Sequence, residues 1–598
     1  MSTSTSKRRR AARDQGTPAL GRPAAAIVLW VALITLAVLR AALATPGSMA
    51  AWGFSLLRFA PGALSWSLWV VGLALLVPGI ARAASRWAQR IAPRGILAAV
   101  LMGVTLAALV LGWPDRLHFV GDFLLREGAS ARSLKPSGLF PQALPLDVFL
   151  HHGLPRAMAD AWSVPTAVTE RALGALEAAL IGVLGYGYAR TLRMEGASAL
   201  AIAAVTALGG FLGIYTGYSK AIAEITLLTL ALGLFALRAL ESPRWLFAVG
   251  LTVAVSVILH RSALALLPAA ALATVLAWRR DSRRIRDPLV VAGLLAGVVM
   301  SAIMLPRIVG TMLRFDPVHF TPLEPGAHGA LGALTTGTRL LDLINVMGLV
   351  SPLAMAIPIV AVAIGRRVLT SPVGWVLATL ALPWIGMTLL IHPPQGMFRD
   401  WDNYSAAGIA LSMIAAWLVV ESGAHPRRPG LILAAALAAA GPSLSWLALN
   451  ADVDRGLARI HAYLAEPPRR SDAERARVWD FLGIRNAQLA RWDASAEAMA
   501  RAAETAPSPR VLLQWALAEQ ARGRSATARD VFRRVTEIQP ADARAWYGLA
   551  AESWNLGDYD ECRRAALRLE QLSPGSPEAR QLLESLERIP SPDGSSER

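Results

Sequence analysis

Residues 24–44, AAAIVLWVALITLAVLRAALA, decide the fold, because this long apolar run contains a single charge, Arg40. A helix needs about 20 apolar residues to cross the roughly 30 Å hydrocarbon core of a bilayer. Of the 598 residues in the chain, 54% are hydrophobic and 17% are charged, with a mean hydropathy of +0.43. Soluble domains average about 45–50% apolar and about 25% charged residues. The composition therefore excludes a wholly soluble protein.

Further stretches of the same character follow in the first 450 residues, although polar residues interrupt several of them. They cover residues 62–81, 96–113, 166–189, 197–216, 220–238, 245–259, 262–277, 288–305, 340–364, 374–391, 406–421 and 431–449. Together with residues 24–44 they predict an all-α, polytopic membrane domain of about thirteen spans at residues 24–450. A basic tail, residues 1–23, precedes it.

The basic residues indicate how the chain is oriented in the membrane. The formal net charge is +17, yet residues 451–598 hold 22 basic and 23 acidic residues, so the excess lies before residue 451. It falls in every second loop between the apolar stretches, and basic loops stay in the cytoplasm. The amino terminus is therefore predicted to be cytoplasmic, with residues after 450 outside. This distribution indicates membrane topology rather than nucleic-acid binding. A single cysteine, Cys562, excludes a disulfide framework.

An internal repeat occupies residues 451–590. Its closing prolines, Pro507, Pro540 and Pro574, are 33 and 34 residues apart, and aligning them superimposes large residues of each unit. The pattern resembles the tetratricopeptide repeat, which implies a short α-solenoid that binds a peptide or partner protein. A spacer without a ligand is the alternative, and residues 591–598 are expected to be disordered. The signature residues are Trp479, Leu482, Pro507, Trp515, Phe532, Pro540, Trp546, Leu549, Gly557 and Pro574.

Polar residues gather at the outer ends of the predicted spans, since a charge at mid-bilayer costs at least about 2.5–3.5 kcal/mol. The early outer loop, residues 114–165, carries several acids and the adjacent pair His151-His152, which is interpreted as solvated. Two tight outer turns contain Lys220 and the pair His260-Arg261, and a later outer turn contains Arg399. These four cationic side chains suit a lipid-linked phosphate. The alternative is snorkelling toward the head groups, the interpretation favoured for Arg40, Arg58 and Arg307.

The order of these short motifs resembles bacterial membrane proteins of the glycosyltransferase-C superfamily, of the protein O-mannosyltransferase type, that end in tetratricopeptide repeats. The motifs are residues 118–122 (HFVGD), 144–151 (LPLDVFLH), Gly217-Tyr218, 260–264 (HRSAL) and 398–402 (FRDWD). The resemblance implies a location in the bacterial inner membrane. It also implies a polyprenyl-phosphate sugar as donor and a protein or glycan acceptor, which the repeats would offer or select. One position departs from the family pattern. Lys220 follows Gly217-Tyr218 where an acidic residue is usual, and the acidic Glu224 comes four residues later.

The resemblance also implies that an acidic residue of the early outer loop is the catalytic base. Asp122 is the first candidate, and Asp115 and Asp147 are the second choices, which could instead cap short helices. Asp400 and Asp402 are predicted to bind the acceptor or a divalent metal, with an interfacial helix cap as the alternative. No strong metal-binding motif occurs in the sequence, so the cofactor is left open.

Two other functions compete with this interpretation. An O-antigen ligase or polymerase also joins many spans to repeats, but it typically relies on arginine and histidine in a late, large outer loop. A membrane-anchored scaffold or a transporter is the other alternative. A transporter would place ionisable residues near mid-membrane, and the candidates for that are Glu177 and Asp342.

Overall fold

The computed structural model describes residues 23–120, 142–320, 332–335, 337–423 and 430–589. Within these ranges every regular element is helical, which confirms the predicted all-α fold. The chain divides into two compact units, Met1–Pro468 and Arg469–Arg598. The division falls later than the predicted boundary after residue 450, because the helix Val453–Ala465 packs on the first unit.

In the ranges given above, the first unit is a bundle of long and short helices with several 3₁₀ turns and one π turn between them. Its described α-helices are α1 (Pro23–Ala42), α2 (Leu56–Phe59), α3 (Gly62–Ala74), α4 (Pro78–Ile91), α5 (Gly95–Gly112), α6 (Pro145–Val148), α7 (Leu154–Trp162), α8 (Thr166–Thr191), α9 (Gly196–Ala207), α10 (Ile222–Glu241), α11 (Leu246–Leu259), α12 (Leu267–Arg280), α13 (Pro288–Phe315), α14 (Arg339–Val350), α15 (Ile357–Ile364), α16 (Arg366–Leu369), α17 (Pro372–Leu390), α18 (Ser405–Gly423), α19 (Leu431–Ala451) and α20 (Val453–Ala465).

The predicted number of thirteen spans is not confirmed. In the described part of the chain, nine helices are long and apolar enough to cross a membrane, or eleven if each of two bent helix pairs is one span. The bends are 103° between α3 and α4 and 110° between α14 and Ala354–Ile364. Prolines explain both, because Pro78 and Pro352 stand at the breaks and a proline disfavours helical geometry in the preceding residue. Two further predicted spans, α9 and Pro243–Leu259, are shorter apolar helices.

Close helix contacts in this unit depend on glycine. A methyl group on Gly250 of α11 would lie 2.1 Å from the carbonyl oxygen of Gly293 in α13. A methyl group on Gly182 of α8 would lie 2.7 Å from the carbonyl oxygen of Met102 in α5. The backbones of these helix pairs therefore touch, which is the packing that small residues allow between membrane helices.

Arg40 does not snorkel, so that interpretation of the sequence is wrong. Its side chain is buried at the end of α1 and donates hydrogen bonds to the carbonyl oxygens of Ala438 at 2.9 Å and Pro352 at 2.7 Å. The Ala438 carbonyl cannot receive the usual helical hydrogen bond, because Pro442, four residues later in α19, has no N–H. Pro352 lies in the break after α14. One guanidinium thus satisfies carbonyl groups at two helix irregularities.

Arg40→Met is expected to destabilise the protein by about 2–6 kcal/mol, because one buried and one half-buried carbonyl oxygen lose their donors at about 1–3 kcal/mol each. Thermal unfolding of the purified full chain in detergent measures the loss. Adding Pro442→Ala restores a backbone N–H for Ala438, so the double variant should recover about half of the loss. Pro442→Ala alone is the control. Equal losses in the single and double variants would contradict this role of Arg40.

The second unit consists of paired antiparallel helices. The closing prolines of the repeat lie between successive pairs, and the turn glycines Gly523 and Gly557 have positive φ angles of 75° and 77°. Among the signature residues, Leu482, Phe532 and Leu549 are buried. Residues that the repeat alignment superimposes are therefore also residues that pack in the core of the second unit. The helices are α21 (Asp472–Gln488), α22 (Trp492–Thr505), α23 (Pro509–Ala521), α24 (Ser525–Ile538), α25 (Ala543–Asn555), α26 (Tyr559–Leu572) and α27 (Pro577–Glu587).

Candidate functional site

A polar cavity of about 180 Å³ in the first unit brings together residues that are far apart in the sequence. Five of the predicted site residues line it, namely Asp147, Lys220, His260, Arg261 and Asp400. They come from α6, from the turn before α10, from the α11–α12 connection and from the segment before α18. The other lining residues are Gln142, Ala143, Ala221, Ile222, His319, Pro394, Gln395 and Asn403.

An apolar cavity of about 200 Å³ adjoins the polar cavity. Both cavities are lined by His260 and Arg261, so these two side chains lie at the boundary between them. Ile222, His319 and Asn403 are also shared. Together the two cavities can accept a molecule with a charged head and an apolar chain. The remaining lining of the apolar cavity is Ser262, Leu264, Ala265, Met312, Asp316, Phe320, Trp384, Met387 and Ile391.

Two cations of the polar cavity, Lys220 and Arg261, are held by acidic partners. Lys220 Nζ lies 2.7 Å from Asp402 Oδ2, and the Asp402 side chain is fully buried. Arg261 Nε donates to both carboxylate oxygens of Asp316, at 3.0 and 2.8 Å. The His260 ring contacts the hydroxyl of Ser262 at 2.7 Å through Nδ1. These pairings fix the positions of the cations before any ligand binds.

Arg399 lies beside the polar cavity and does not line it. Its Nε donates to the carbonyl oxygen of Phe119 at 3.1 Å, and its terminal nitrogen donates to Gln395 Oε1 at 2.8 Å. Gln395 itself lines the cavity. Arg399 therefore contacts the polar cavity indirectly, through its hydrogen bond to Gln395.

Asp400 and Asp402 point to different partners. Asp400 accepts a hydrogen bond from the backbone N–H of Gln395 at 3.0 Å and lines the polar cavity, whereas Asp402 pairs with Lys220. Among the residues that the structure describes, no group of three or more histidine, cysteine or acidic side chains is placed to hold a metal ion. Acceptor or metal binding by the two aspartates stays a prediction.

The three candidate bases have different surroundings. Asp147, in α6, is 3% exposed and lines the polar cavity. Asp115 accepts hydrogen bonds from the backbone N–H groups of Leu117 and His118 at 2.7 and 2.8 Å, and the Tyr218 hydroxyl donates to its other oxygen. Asp115 therefore holds the turn that follows α5. Asp122 lies outside the described residues.

His151 is buried, so the interpretation of His151-His152 as a solvated pair is wrong for this residue. Its Nδ1 lies 2.9 Å from the hydroxyl of Ser219, and its Nε2 lies 3.0 Å from Glu224 Oε1. This contact ties the early outer loop to the start of α10. Lys220 stands where the family pattern has an acid. The acid of this segment is Glu224, one helical turn further along the chain, and it contacts His151.

Sequence reasoning missed Asp316, His319 and Asn403, all of which line one or both cavities. The predicted span ended at residue 305, whereas α13 continues to Phe315 and leads directly into a 3₁₀ turn that carries Asp316 and His319. The signal that could have found Asp316 and His319 is an acid and a histidine three residues apart at the end of an apolar helix.

Comparison with known proteins gives one sequence match and several loose structural likenesses. The chain is similar to ArnT from Cupriavidus metallidurans bound to undecaprenyl phosphate, with 14% identity and a TM-score of 0.36 over 74% of this chain and 81% of that one. The apo form of ArnT gives 14% identity and a TM-score of 0.33, over 73% and 80%. The APC/C hetero-tetramer Cut9-Hcn1 gives 12% identity and a TM-score of 0.20, over 77% and 95%.

No curated protein matches the chain in sequence. At these TM-scores the structural likenesses assign neither an activity nor site residues to this chain. The sequence model of the tetratricopeptide repeat family matches residues 509–552. These residues comprise α23, α24 and most of α25, which are helices of the repeat pattern. The second unit therefore contains a tetratricopeptide repeat, as the spacing of its prolines predicts.

Proposed function

We propose that this protein is a membrane glycosyltransferase that moves a sugar from a polyprenyl-phosphate donor to a hydroxyl group of an extracytoplasmic acceptor. The observation that carries the proposal is the sharing of His260 and Arg261 between the polar and apolar cavities. The apolar cavity accommodates the first isoprenoid units of such a donor. The phosphate then lies against His260 and Arg261, and the sugar occupies the polar cavity beside Asp147 and Lys220.

The reaction follows from this placement. The bond between the anomeric carbon and the phosphate oxygen breaks, and its electron pair stays on the phosphate. The acceptor oxygen forms a bond to the same carbon, and its proton passes to a carboxylate. Asp147 is the described acid of the early outer loop that lines the cavity, so we assign it this role in place of Asp122, which the sequence favours. Arg261, His260 and Lys220 stabilise the charge that grows on the leaving phosphate.

The orientation supports an extracytoplasmic reaction. The described residues contain nine candidate spans, or up to eleven with the bent helix pairs, and an odd total would put the amino terminus and the repeat unit on opposite sides of the membrane. The basic loops place the amino terminus in the cytoplasm. The repeat unit then lies on the outer side, where it offers or selects the acceptor.

A transfer assay on the purified, lipid-reconstituted protein tests the proposal, with release of undecaprenyl phosphate from undecaprenyl-phosphate hexoses and pentoses as the readout. The full chain is compared with a chain that ends at Pro468, the boundary of the first unit. We expect the shortened chain to bind the donor but to lose transfer to acceptor in native membranes. No release from any donor by the full chain would reject the enzyme and favour a scaffold. Unchanged transfer by the shortened chain would reject a role of the repeats in acceptor choice.

A further inference from the structure

The segment Ile391–Asp400, between α17 and the 3₁₀ turn Trp401–Tyr404, has no regular secondary structure. It nevertheless supplies Pro394, Gln395 and Asp400 to the lining of the polar cavity. Its own backbone hydrogen bonds are those of short turns, for example from Asp400 N–H to the carbonyl oxygen of Gly396 at 2.9 Å, so its placement against the rest of the first unit depends on side chains that anchor it. We call residues 391–404 the cavity loop.

The main anchor is Phe398, which is 1% exposed and points away from the cavity lining into an aromatic cluster. Its ring stacks on the ring of Tyr463 in α20, with centroids 3.7 Å apart and planes at 3°. Trp52 and Phe119 make edge-to-face contacts with Phe398, each at 5.3 Å. Since Phe119 also accepts the hydrogen bond of Arg399, the cluster holds two neighbouring residues of the cavity loop.

Arg459, one helical turn before Tyr463, completes the cluster. Its guanidinium carbon lies 4.5 Å from the centroid of Phe398 and 5.1 Å from that of Trp446, and it donates to the carbonyl oxygen of Trp52 at 3.0 Å. Burial lowers the pKa of Arg459 to about 9, so the side chain is still charged at neutral pH. Its charge is then stabilised by the aromatic faces.

The far end of α20 is also fixed to the first unit. Arg58 donates to Glu466 Oε2 at 2.8 Å, and the backbone N–H of Met49 donates to the carbonyl oxygen of Pro467 at 2.8 Å. The hydrogen bonds from Arg58 hold the pKa of the Glu466 carboxyl below its usual range. Arg58 therefore forms an ion pair rather than snorkelling, and the end of α20 beyond Tyr463 is held to the first unit as well.

We infer that Arg459 and Tyr463 are positioning residues for the sugar-phosphate site, and that α20 forms the rear support of the cavity loop. The inference rests on the proposed function. By stacking on Phe398, these residues set where Gln395 and Asp400 stand in the polar cavity. A helix that the sequence assigns to the repeat arm thus acts, through the cavity loop, on the binding of the donor.

The test compares Tyr463→Leu, which removes the stacked ring, with Tyr463→Phe, which keeps it. Phe235→Leu is the matched control, because it removes a ring stacked on Trp245 at 5.6 Å, away from both cavities. Per folded molecule, Tyr463→Leu is expected to raise the KM for the polyprenyl-phosphate sugar about tenfold, the size of effect that one aromatic pair supplies. Tyr463→Phe should restore the wild-type KM. A purely structural role would lower the yield of folded protein and leave KM unchanged.

Hydrogen–deuterium exchange in detergent gives a second readout that needs no activity. Backbone amides of residues 395–403 should exchange faster in Tyr463→Leu and Arg459→Met than in the wild type or in Phe235→Leu. Unchanged exchange in both variants would overturn the inference, whether or not the protein transfers sugar. If the wild type releases no polyprenyl phosphate while exchange in residues 395–403 rises as expected, the proposed function fails and the positioning of the cavity loop stands.

Discussion

Asp147→Asn is expected to lower the rate of sugar transfer by about 10²–10⁴-fold, because the acceptor hydroxyl loses the carboxylate that removes its proton. The amide keeps the size of the side chain in a position that is 3% exposed, so the fold and the donor KM should change little. Release of polyprenyl phosphate with saturating donor and acceptor measures the effect.

Asp115→Asn is the matched control for this prediction. Asp115 holds a turn through Leu117, His118 and Tyr218, so its loss should reduce thermal stability more than the turnover of the folded protein. Asp122→Asn decides between the two candidate bases. If that variant loses transfer while Asp147→Asn keeps it, the carboxylate in the polar cavity binds substrate at most and the base is Asp122.

Lys220→Met is expected to have the second large effect, on stability and activity together. It leaves the carboxylate of Asp402, which is fully buried, without its cation at 2.7 Å. Breaking a buried pair in this way costs about 3–5 kcal/mol. The leaving phosphate also loses one of its cations, and removing such a group lowers turnover by about 10²–10³-fold.

The double variant Lys220→Met/Asp402→Asn separates these two contributions. Neutralising Asp402 removes the unpaired charge, so thermal stability should return toward that of the wild type, while turnover should stay low. Wild-type turnover in the double variant would show that the charge of Lys220 serves only Asp402. Wild-type stability in Lys220→Met would show that Asp402 finds another partner or is protonated.

Apolar run length predicted the helices of the first unit because a bilayer imposes that length on any span. The number of spans could not be obtained in the same way, since Pro78 and Pro352 bend two of the apolar runs within their length and two other runs form helices shorter than a span. The repeat was predictable because its proline spacing is periodic. The helix α20 was assigned to the repeat because it is amphipathic, but its apolar face contacts the first unit.

The sequence could predict those residues of the candidate site that lie in short turns between two apolar helices. Lys220, His260 and Arg261 line one cavity because their turns lie at the same end of the helix bundle. The pairing of Lys220 with Asp402 and of Arg261 with Asp316 was not predictable, since the partners are 182 and 55 residues apart in the chain. The same holds for Asp115, whose partner Tyr218 is 103 residues distant.

The double duty of Arg40 has an evolutionary consequence. Pro442 is tolerated in the middle of α19 because Arg40 of α1 donates a hydrogen bond to the Ala438 carbonyl, which the proline leaves without its helical donor. In descendants of this sequence, replacement of Pro442 by a residue with an N–H would satisfy the Ala438 carbonyl from within α19. Selection would then keep Arg40 only for its hydrogen bond to the Pro352 carbonyl. Substitutions at positions 40 and 442 should therefore be correlated across lineages, with loss of the proline preceding loss of the arginine.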